Sequence, residues 1–475
     1  MKKLLFPLIL GLLATFGAIA QKSKEAALSS IDAKAATYGD IAMQIWNLAE
    51  MGYQEEKSSR LLQETLAAEG FAIEKGVANI PTAFVAEYGN GGPIIAILGE
   101  YDALPGLSQQ ALPEKKSADG EAGHACGHHL FGTASTAAAI AVKDWLVTNK
   151  IDGTIRFYGC PAEEGGGAKV YMAREGLFND VDVALHWHPS SQNAASAAAA
   201  LANISAKFRF NGISAHAAGA PQMGRSALDG VEAMNNMVNM MREHVPQEAR
   251  IHYVITDGGK APNVVPDFAE VYYYSRHNRR DVVRDIFNRI IKAGEGAALG
   301  TGTTMEYEIV NGVHELLPNL TLQKVVHNNL SNIGGMTYTP DERVFAEKIA
   351  MSLGQDQLNE EIAKIIQPFK EEAKAYGSTD VGDVSFVVPT VGFGTATWVP
   401  GTSAHSWQAV AAGGTTIGKK GMLIAAKTMT ATAIDLLSDN KLIDAAKTEF
   451  EERRGANFVY EPLVGNRAPA LNYRK

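Results

Sequence analysis

Four short polar clusters recur along the chain after segments of strand-like composition. Open α/β sheets place their sites at the carboxyl ends of the strands, so this arrangement favours an α/β sheet whose loops bring the clusters together. Thiol, imidazole and carboxylate side chains in the clusters are the ligands of borderline-soft divalent metals. Any one of these clusters taken alone could result from packing or from an ordinary solvated surface. The four clusters together predict a metal site. The clusters are Gly123-His124-Ala125-Cys126-Gly127-His128-His129, Pro161-Ala162-Glu163-Glu164-Gly165-Gly166-Gly167, Leu185-His186-Trp187-His188-Pro189 and Gly401-Thr402-Ser403-Ala404-His405-Ser406.

The segments around these clusters alternate between strand and helix, which predicts an α/β fold. The continuous apolar run from Pro93 to Leu98 ends at Gly99 and is typical of a strand covered on both faces. Residues 22 to about 75 predict helices, because apolar residues recur there at helical spacing. Further predictions are strands at Thr154 to Tyr158, Val181 to Leu185 and near Phe386 to Val388, helices at Phe131 to Leu146 and Lys419 to Leu437, and a surface loop from Leu107 to Gly123.

A different pattern begins near residue 200. Strands and helices there follow the order β-α-β-β-α-β, which is that of a ferredoxin-like module. We expect a separate domain at 203–313, inserted between two parts of a catalytic domain at 21–202 and 314–475. The predicted elements of the insert are Ala206 to Phe210, Arg225 to His244, Arg250 to Thr256, Ala269 to Ser275, Asp281 to Ala298 and Thr304 to Val310.

Residues 1–20 have the pattern of a secretory signal peptide. Lys2 and Lys3 precede the apolar run Leu4 to Phe16, and Ala18-Ile19-Ala20 is a small-residue cleavage site. Because the run is too short to span a membrane, we expect an exported, soluble protein that is periplasmic or secreted. The net charge is -9, or -11 without Lys2 and Lys3, which disfavours nucleic acid or an anionic membrane as a partner.

The chain has two cysteines, Cys126 and Cys160. In an exported protein two cysteines can form a disulfide. A chain of this size needs no such cross-link, and Cys126 lies between two histidines, so we expect free thiols. A disulfide is the alternative, and it would prevent Cys126 from acting as a thiolate ligand.

The spacing within the clusters fits a pair of metals and a general base. Of two adjacent carboxylates such as Glu163 and Glu164, one can bind metal while the other transfers protons. His186 and His188 are two positions apart on a strand end and face the same side. His405 comes from far along the chain, as closing a site between distant loops requires. These residues alone leave open which glutamate and which histidine bind the metal.

Seven sequence blocks in a fixed order resemble a known family. The chain is similar to the di-metal amidohydrolases that include aminoacylases, hippurate hydrolases and plant auxin-conjugate hydrolases, and most similar to their p-aminobenzoyl-glutamate hydrolase B-subunit group. The resemblance covers about residues 30 to 440 and implies a two-domain, di-metal exopeptidase-like fold, a mixed sheet flanked by helices with an inserted lid domain. The blocks are Leu98 to Pro105, His124 to His128, Pro161 to Glu164, Trp187 to Pro189, Gly224 to Asp229, Pro400 to Gln408 and Lys420 to Met422.

Carried over position by position, the resemblance implies a ligand set and a base. His188, rather than His186, matches the ligand histidine because it follows Asp182 by six positions. Glu100 stands where other branches have a histidine ligand, so neither Glu100 nor Asp102 is counted as a ligand. Glu163 would be the general base. The implied ligands of two divalent metals, with manganese favoured and zinc as the alternative, are Cys126, His128, Glu164, His188 and His405.

The resemblance also assigns residues of the inserted module. His216 would reach into the site of a partner subunit and hydrogen-bond the reacting carbonyl, so the lid domain would pair two copies in a homodimer. Asn263 and Arg276 would hold the carboxylate of the substrate, which an arginine fork grips through two hydrogen bonds.

The implied activity is metal-dependent hydrolysis of the amide bond of an N-acyl amino acid or a related small amide, such as p-aminobenzoyl-glutamate. A dipeptidase or carboxypeptidase on the same fold is the enzymatic alternative. A non-catalytic protein that binds a small ligand is the alternative from another class. The presence of Glu163 beside a full ligand set argues against a protein without catalysis.

Overall fold

A computed structural model describes residues 21–374 and 377–474 of the chain. The predicted signal peptide at 1–20 lies outside these residues. Within the described ranges, no helix combines the length and the apolar character needed to cross a membrane.

Helices and strands alternate over most of the described chain. The helices are α1 (21–33), α2 (Ala35–Leu48), α3 (Glu56–Ala68), α4 (His128–Asn149), α5 (Ala168–Arg174), α6 (Ala227–Met241), α7 (Arg280–Thr301), α8 (Leu320–Ile333), α9 (Pro340–Ser352), α10 (Glu361–Lys364), α11 (Val381–Ser385), α12 (Trp407–Gly413), α13 (Thr416–Ser438) and α14 (Asn440–Arg454). The strands are β1 (Ala72–Lys75), β2 (Phe84–Asn90), β3 (Ile94–Gly99), β4 (Leu104–Pro105), β5 (Ala122–Gly123), β6 (Gly153–Gly159), β7 (Val183–Leu185), β8 (His188–Ser190), β9 (Ala198–Ala199), β10 (Ala202–Asn211), β11 (Arg250–Asp257), β12 (Phe268–His277), β13 (Thr304–Val313), β14 (Ala373–Lys374), β15 (Thr390–Val391) and β16 (Gly394–Ala396).

The catalytic domain is built on a mixed six-stranded sheet with the order β1-β2-β6-β3-β7-β15. The last four strands in this order run parallel, while β1 and β2 add an antiparallel edge. Ile95 and Ile97 of β3 pack into a core shared with α4 and α13, and Ala96 and Leu98 pack into a second core shared with α5. Both faces of β3 are therefore covered, which explains its continuous apolar run.

The inserted domain is an antiparallel sheet with the order β11-β12-β10-β13, covered on one face by α6 and α7. Its chain order, β10-α6-β11-β12-α7-β13, confirms the predicted ferredoxin-like module. Ser226 begins α6 by accepting a hydrogen bond from the Asp229 amide, and Val231, Met234 and Val238 bury one face of the helix. The uncovered face of the sheet is turned towards the catalytic domain.

Two predictions of secondary structure are wrong. The segment near Phe386 to Val388 is not a strand, because the amides of Val387 and Val388 bond back to the carbonyl of Val384 in a turn after α11. The sheet strand at this point is β15, further along the chain. The helical prediction for residues 22 to 75 fails at its end, where β1 pairs with β2.

The chain after α14 forms a C-terminal tail, residues 455–474, without helix or strand. Leu463 packs into the core of the lid domain, and Val464 packs into the core of the catalytic domain on the α5 side. The guanidinium of Arg174 donates hydrogen bonds to the carbonyls of Gly465 and Arg467 at 3.2 and 2.7 Å. The tail therefore runs along the junction of the two domains.

Candidate active site

Two of the polar clusters and Asp102 meet at the carboxyl edge of the central sheet. Asp102 follows the end of β3, the Glu163–Glu164 pair follows β6, and His186 and His188 follow β7. Since β3, β6 and β7 are parallel neighbours, the segments after them emerge side by side. Glu163, Glu164, His186 and His188 line a cleft of about 2350 Å³ whose opposite wall is the uncovered face of the lid sheet.

Gly127 brings the first cluster, with Cys126 and His128, against the His188 loop. Its φ is +76°, a backbone conformation that side chains disfavour, and it precedes the first residue of α4. A Cβ at this position would lie 2.7 Å from the ring of Pro189. The chain can therefore make this turn, and approach Pro189 this closely, only with glycine.

The predicted ligands form two groups that share Cys126. Cys126, His128 and His188 make one group, and Cys126, Glu164 and His405 make the other, with the ligand atoms of each group within 4.8 Å of one another. The Cys126 sulfur lies 3.4 Å from His188 Nε2, and His405 Nε2 lies 2.9 Å from Glu164 Oε1. A thiolate shared by two three-residue groups fits two adjacent divalent cations.

The chemistry of Cys126 also fits bound cations. Burial, together with the charge of Glu164, raises the pKa of this thiol well above its ordinary value. A cation stabilises the thiolate and reverses that effect, since metal ligation requires the deprotonated sulfur. The His405 amide donates to the Ala125 carbonyl at 3.0 Å, which ties the distant fourth cluster to this turn.

Asp102 holds two of the predicted ligands in place. Its Oδ1 lies 2.8 Å from His128 Nδ1, and its Oδ2 accepts a hydrogen bond from the Glu164 amide at 2.9 Å. A carboxylate on one ring nitrogen fixes the tautomer and orientation of a metal-binding histidine and leaves the other nitrogen free. His128 therefore presents Nε2 to the site.

A buried charge network lies beside His128. The Lys169 ammonium is 2.6 Å from Glu100 Oε1 and 2.7 Å from Asp380 Oδ1, and the three side chains are at most 1% exposed. The other oxygen of Glu100 lies 3.2 Å from His128 Nε2. Glu100, which was not predicted as a ligand, thus borders the site with one oxygen already engaged by Lys169.

Glu163 has the surroundings of a proton acceptor. One of its oxygens lies within 4.8 Å of the ligand atoms of His128 and Glu100. Burial, followed by the charges of Glu100 and Glu164, raises the pKa of Glu163 well above its ordinary value. A carboxylate with a raised pKa accepts a proton from water more readily than an ordinary glutamate.

The remaining residues of the clusters have other partners. His186 lines the cleft but belongs to none of the ligand groups, and its Nε2 is buried against Gly392. His129 is buried and bonds the Gly413 carbonyl at 3.1 Å, so it connects α4 to the end of α12. Both cysteines are free, as predicted, and Cys160 donates to the Tyr158 carbonyl.

The lid residues divide between two locations. Arg276 lies on β12 and lines the cleft of its own chain. His216 and Asn263 are exposed and lie together on neighbouring loops, where the Ala217 amide donates to the Asn263 carbonyl at 3.0 Å. Neither is among the described residues that line the cleft. The structure thus brings Arg276 into the site of the same chain but not His216 or Asn263.

Comparison with known proteins agrees with this arrangement. A family model described as a peptidase dimerisation domain matches residues 201–298. The B subunit of the p-aminobenzoyl-glutamate hydrolase of Escherichia coli (strain K12) is 42% identical over 468 residues, which is 93% of this chain and 97% of that protein. The chain belongs to the M20 family of metal-dependent amidohydrolases and peptidases.

Two more distant similarities extend over most of the chain. The Xaa-Arg dipeptidase of Mus musculus is 29% identical, over 90% of this chain and 92% of that protein. The solved structure of a dinuclear metal-binding peptidase of the M20 family from Bacillus subtilis superposes with a TM-score of 0.57 at 18% identity. It covers 86% of this chain and 99% of its own. As a member of this family, the protein is a metal-dependent hydrolase.

Proposed function

We propose that this protein hydrolyses the amide bond of N-acyl amino acids whose amino acid carries a free carboxylate, with p-aminobenzoyl-glutamate as the model compound. The observation that carries the proposal is the pair of ligand groups sharing Cys126, with Glu163 beside them. The E. coli relative, at 42% identity, is by its name a hydrolase of p-aminobenzoyl-glutamate. Manganese is the proposed metal, with zinc as the alternative.

Each residue of the site has a defined task in this reaction. When bound, the two metals polarise the amide carbonyl and acidify water. Cys126, His128, Glu164, His188 and His405 would hold them. Glu163 takes a proton from the attacking water and later returns it to the leaving amine. Arg276 binds the carboxylate of the amino acid and fixes the position of the amide.

We further propose that the active form is a homodimer joined through the lid domain. The Nδ1 atom of His216 accepts hydrogen bonds from the amides of Ala218 and Gly219, so the ring proton is on the exposed Nε2 atom. Within residues 21–374 and 377–474, this N–H has no hydrogen-bond acceptor. We propose that it stabilises the oxyanion in the site of the partner subunit, and that Asn263 on the neighbouring loop contributes there to binding the substrate carboxylate.

A dipeptidase is the second candidate, because the Xaa-Arg dipeptidase of Mus musculus is a relative over most of the chain. The charges of the cleft argue against an arginine side chain in the substrate. The guanidinium groups of Arg276 and Arg474 both line the cleft, and among the described side chains neither forms an ion pair. A further cation beside these two unpaired guanidinium groups would be repelled.

The test is amine release by the purified, metal-loaded protein from p-aminobenzoyl-glutamate, N-benzoyl amino acids and dipeptides ending in arginine. We expect cleavage of the acyl-glutamates, loss of activity after metal chelation, and recovery on adding Mn²⁺. Cleavage of the arginine dipeptides alone would favour the second candidate. Binding without turnover of any compound would favour a protein that only binds ligands.

A further inference from the structure

The C-terminal tail ends inside the cleft, next to a predicted metal ligand. The Tyr473 hydroxyl donates a hydrogen bond to the Glu164 carbonyl at 3.0 Å, and Arg474 Nη2 donates to the same oxygen at 2.7 Å. The Tyr473 ring packs edge-on against Tyr53 at 5.6 Å, and the Arg474 guanidinium lies 4.9 Å from the Tyr473 ring. These contacts fix the Arg474 guanidinium at the wall of the site.

The arginines of the cleft differ in their partners. Arg467, also on the tail, pairs with Glu308 at 3.3 Å and donates to the Val310 carbonyl at 3.0 Å. Arg474 and Arg276 form no ion pair with a described carboxylate, and the Nε atom of each is buried without a hydrogen-bond partner. A buried, unused N–H of a charged group is costly unless a ligand completes it.

Two tyrosines of the lid sheet, Tyr272 and Tyr274, lie beside Arg276 in the cleft. The Arg276 guanidinium lies over the Tyr274 ring at 5.2 Å, and the hydroxyls of Tyr274 and Tyr272 are 3.3 Å apart. Burial and the neighbouring Tyr274 raise the pKa of the Tyr272 hydroxyl, and the charge of Arg474 opposes that rise. Tyr272, Tyr274 and Arg276 on the lid sheet and Arg474 beside Glu164 all line the same cleft.

We propose that Arg474 binds a second carboxylate of the substrate, so that the tail selects N-acyl amino acids with an acidic side chain over neutral ones. Arg276 holds the α-carboxylate, and Arg474 holds the side-chain carboxylate on the opposite wall. Two planar forks on facing walls suit a dicarboxylic amino acid such as glutamate. This inference rests on the proposed amidohydrolase function.

The experiment compares N-benzoyl-glutamate with N-benzoyl-glutamine, which differ only in the side-chain charge. In Arg474→Met we expect the ratio of kcat/KM values, glutamate over glutamine, to fall about 10–100-fold, mostly through KM, because a charge-assisted bond is lost. Hydrolysis of the glutamine compound should fall much less than that of the glutamate compound, because glutamine has no side-chain charge for Arg474 to bind. Arg474→Lys keeps the charge without the fork and should recover part of the ratio.

Arg467→Met is the matched control, because it removes a guanidinium from the same tail whose partner is Glu308. It should leave the ratio unchanged. Calorimetric binding of both compounds to Glu163→Gln protein, with and without Arg474→Met, gives the same comparison without turnover. If Arg474→Met leaves the ratio of kcat/KM values unchanged, the proposal is overturned. This includes an equal rise or fall of kcat/KM for both compounds. Equal loss of binding affinity for both compounds in the Glu163→Gln background would overturn it as well. If the unaltered protein cleaves neither compound, the proposed function fails, and the binding comparison still decides the role of Arg474.

Discussion

Glu163 is the side chain on which the proposed chemistry depends most directly. Replacing it in Glu163→Gln keeps the size of the side chain but removes its ability to accept a proton. Turnover should fall about 10²–10⁴-fold, the usual contribution of a general base. Metal content and thermal stability should be unchanged, because Glu163 is not one of the five predicted ligands and glutamine matches its size; its carboxylate lies near the ligand atoms of Glu100 and His128 but shares no group with Cys126. Near-normal turnover at full metal content would remove Glu163 from the mechanism.

The two cysteines allow a controlled test of the thiolate ligand. Cys126→Ser should lower the metal content of dialysed protein, measured by mass spectrometry, because a hydroxyl stays protonated where a thiol ionises. Since Cys126 lies in both ligand groups, occupancy of both metals should fall. Cys160→Ser is the control, because Cys160 is buried but belongs to no ligand group. Equal metal loss in both variants would indicate general destabilisation instead of lost ligation.

His188 and His186 should differ in the same measurement. His188 lies 3.4 Å from the Cys126 sulfur and belongs to a ligand group, whereas His186 belongs to none. His188→Ala should therefore lose more metal than His186→Ala. Both side chains are half-buried, so the two substitutions remove a similar amount of packing. Greater loss in the His186 variant would mean that the ligand assignment is wrong.

The sequence motifs identified the groups that the structure brings together, but not the side chains that hold them. Cys126, His128 and Glu164 stand out because each lies in a local cluster beside glycine. The support from Asp102, Lys169 and the tail has no local signal. The Tyr473 to Glu164 contact joins positions 309 residues apart, and only the folded chain reveals it. For Asp102 the sequence offers only its position, three residues after the end of β3.

The helices and strands were predicted correctly where the spacing of apolar residues in the sequence matches the faces that the fold buries. The long helices and the doubly covered β3 have clear patterns, and so does the strand order of the lid. The segment near Phe386 to Val388 misled because its apolar residues are buried in a turn against the α5 core, not in a sheet. Short apolar runs do not distinguish a buried strand from a buried turn.

The edge strand of the lid gives a test of the proposed dimer. β11 lies at one edge of the lid sheet and exposes the side chains of Tyr253, Val254 and Ile255. An exposed apolar stretch on an edge strand is typical of a surface that pairs with another chain. Val254→Lys should weaken dimerisation at least about tenfold, measured by sedimentation velocity across a dilution series. Val344→Lys on α9 is the control, because Val344 has the same 55% exposure as Val254. A dimer unaffected by Val254→Lys would place the interface elsewhere.

In the homodimer proposed above, each active site would draw on two chains. His216 is exposed, directs its Nε2 proton outward and lies outside the cleft of its own chain. It does not cap α6, since Ser226 performs that role. His216→Ala should lower turnover about 10²–10³-fold, as expected for the loss of an oxyanion donor. His216→Ala chains and Glu163→Gln chains, each nearly inactive, can then be mixed and allowed to exchange subunits. In a mixed dimer, one site would combine an intact Glu163 with an intact His216 from the partner subunit, so activity should partly return.

The control for this recovery is the edge-strand substitution: Val254→Lys in both chains should suppress the return of activity. If exchange is demonstrated with labelled subunits and no activity returns, His216 does not act across the interface, and the site is complete within one chain.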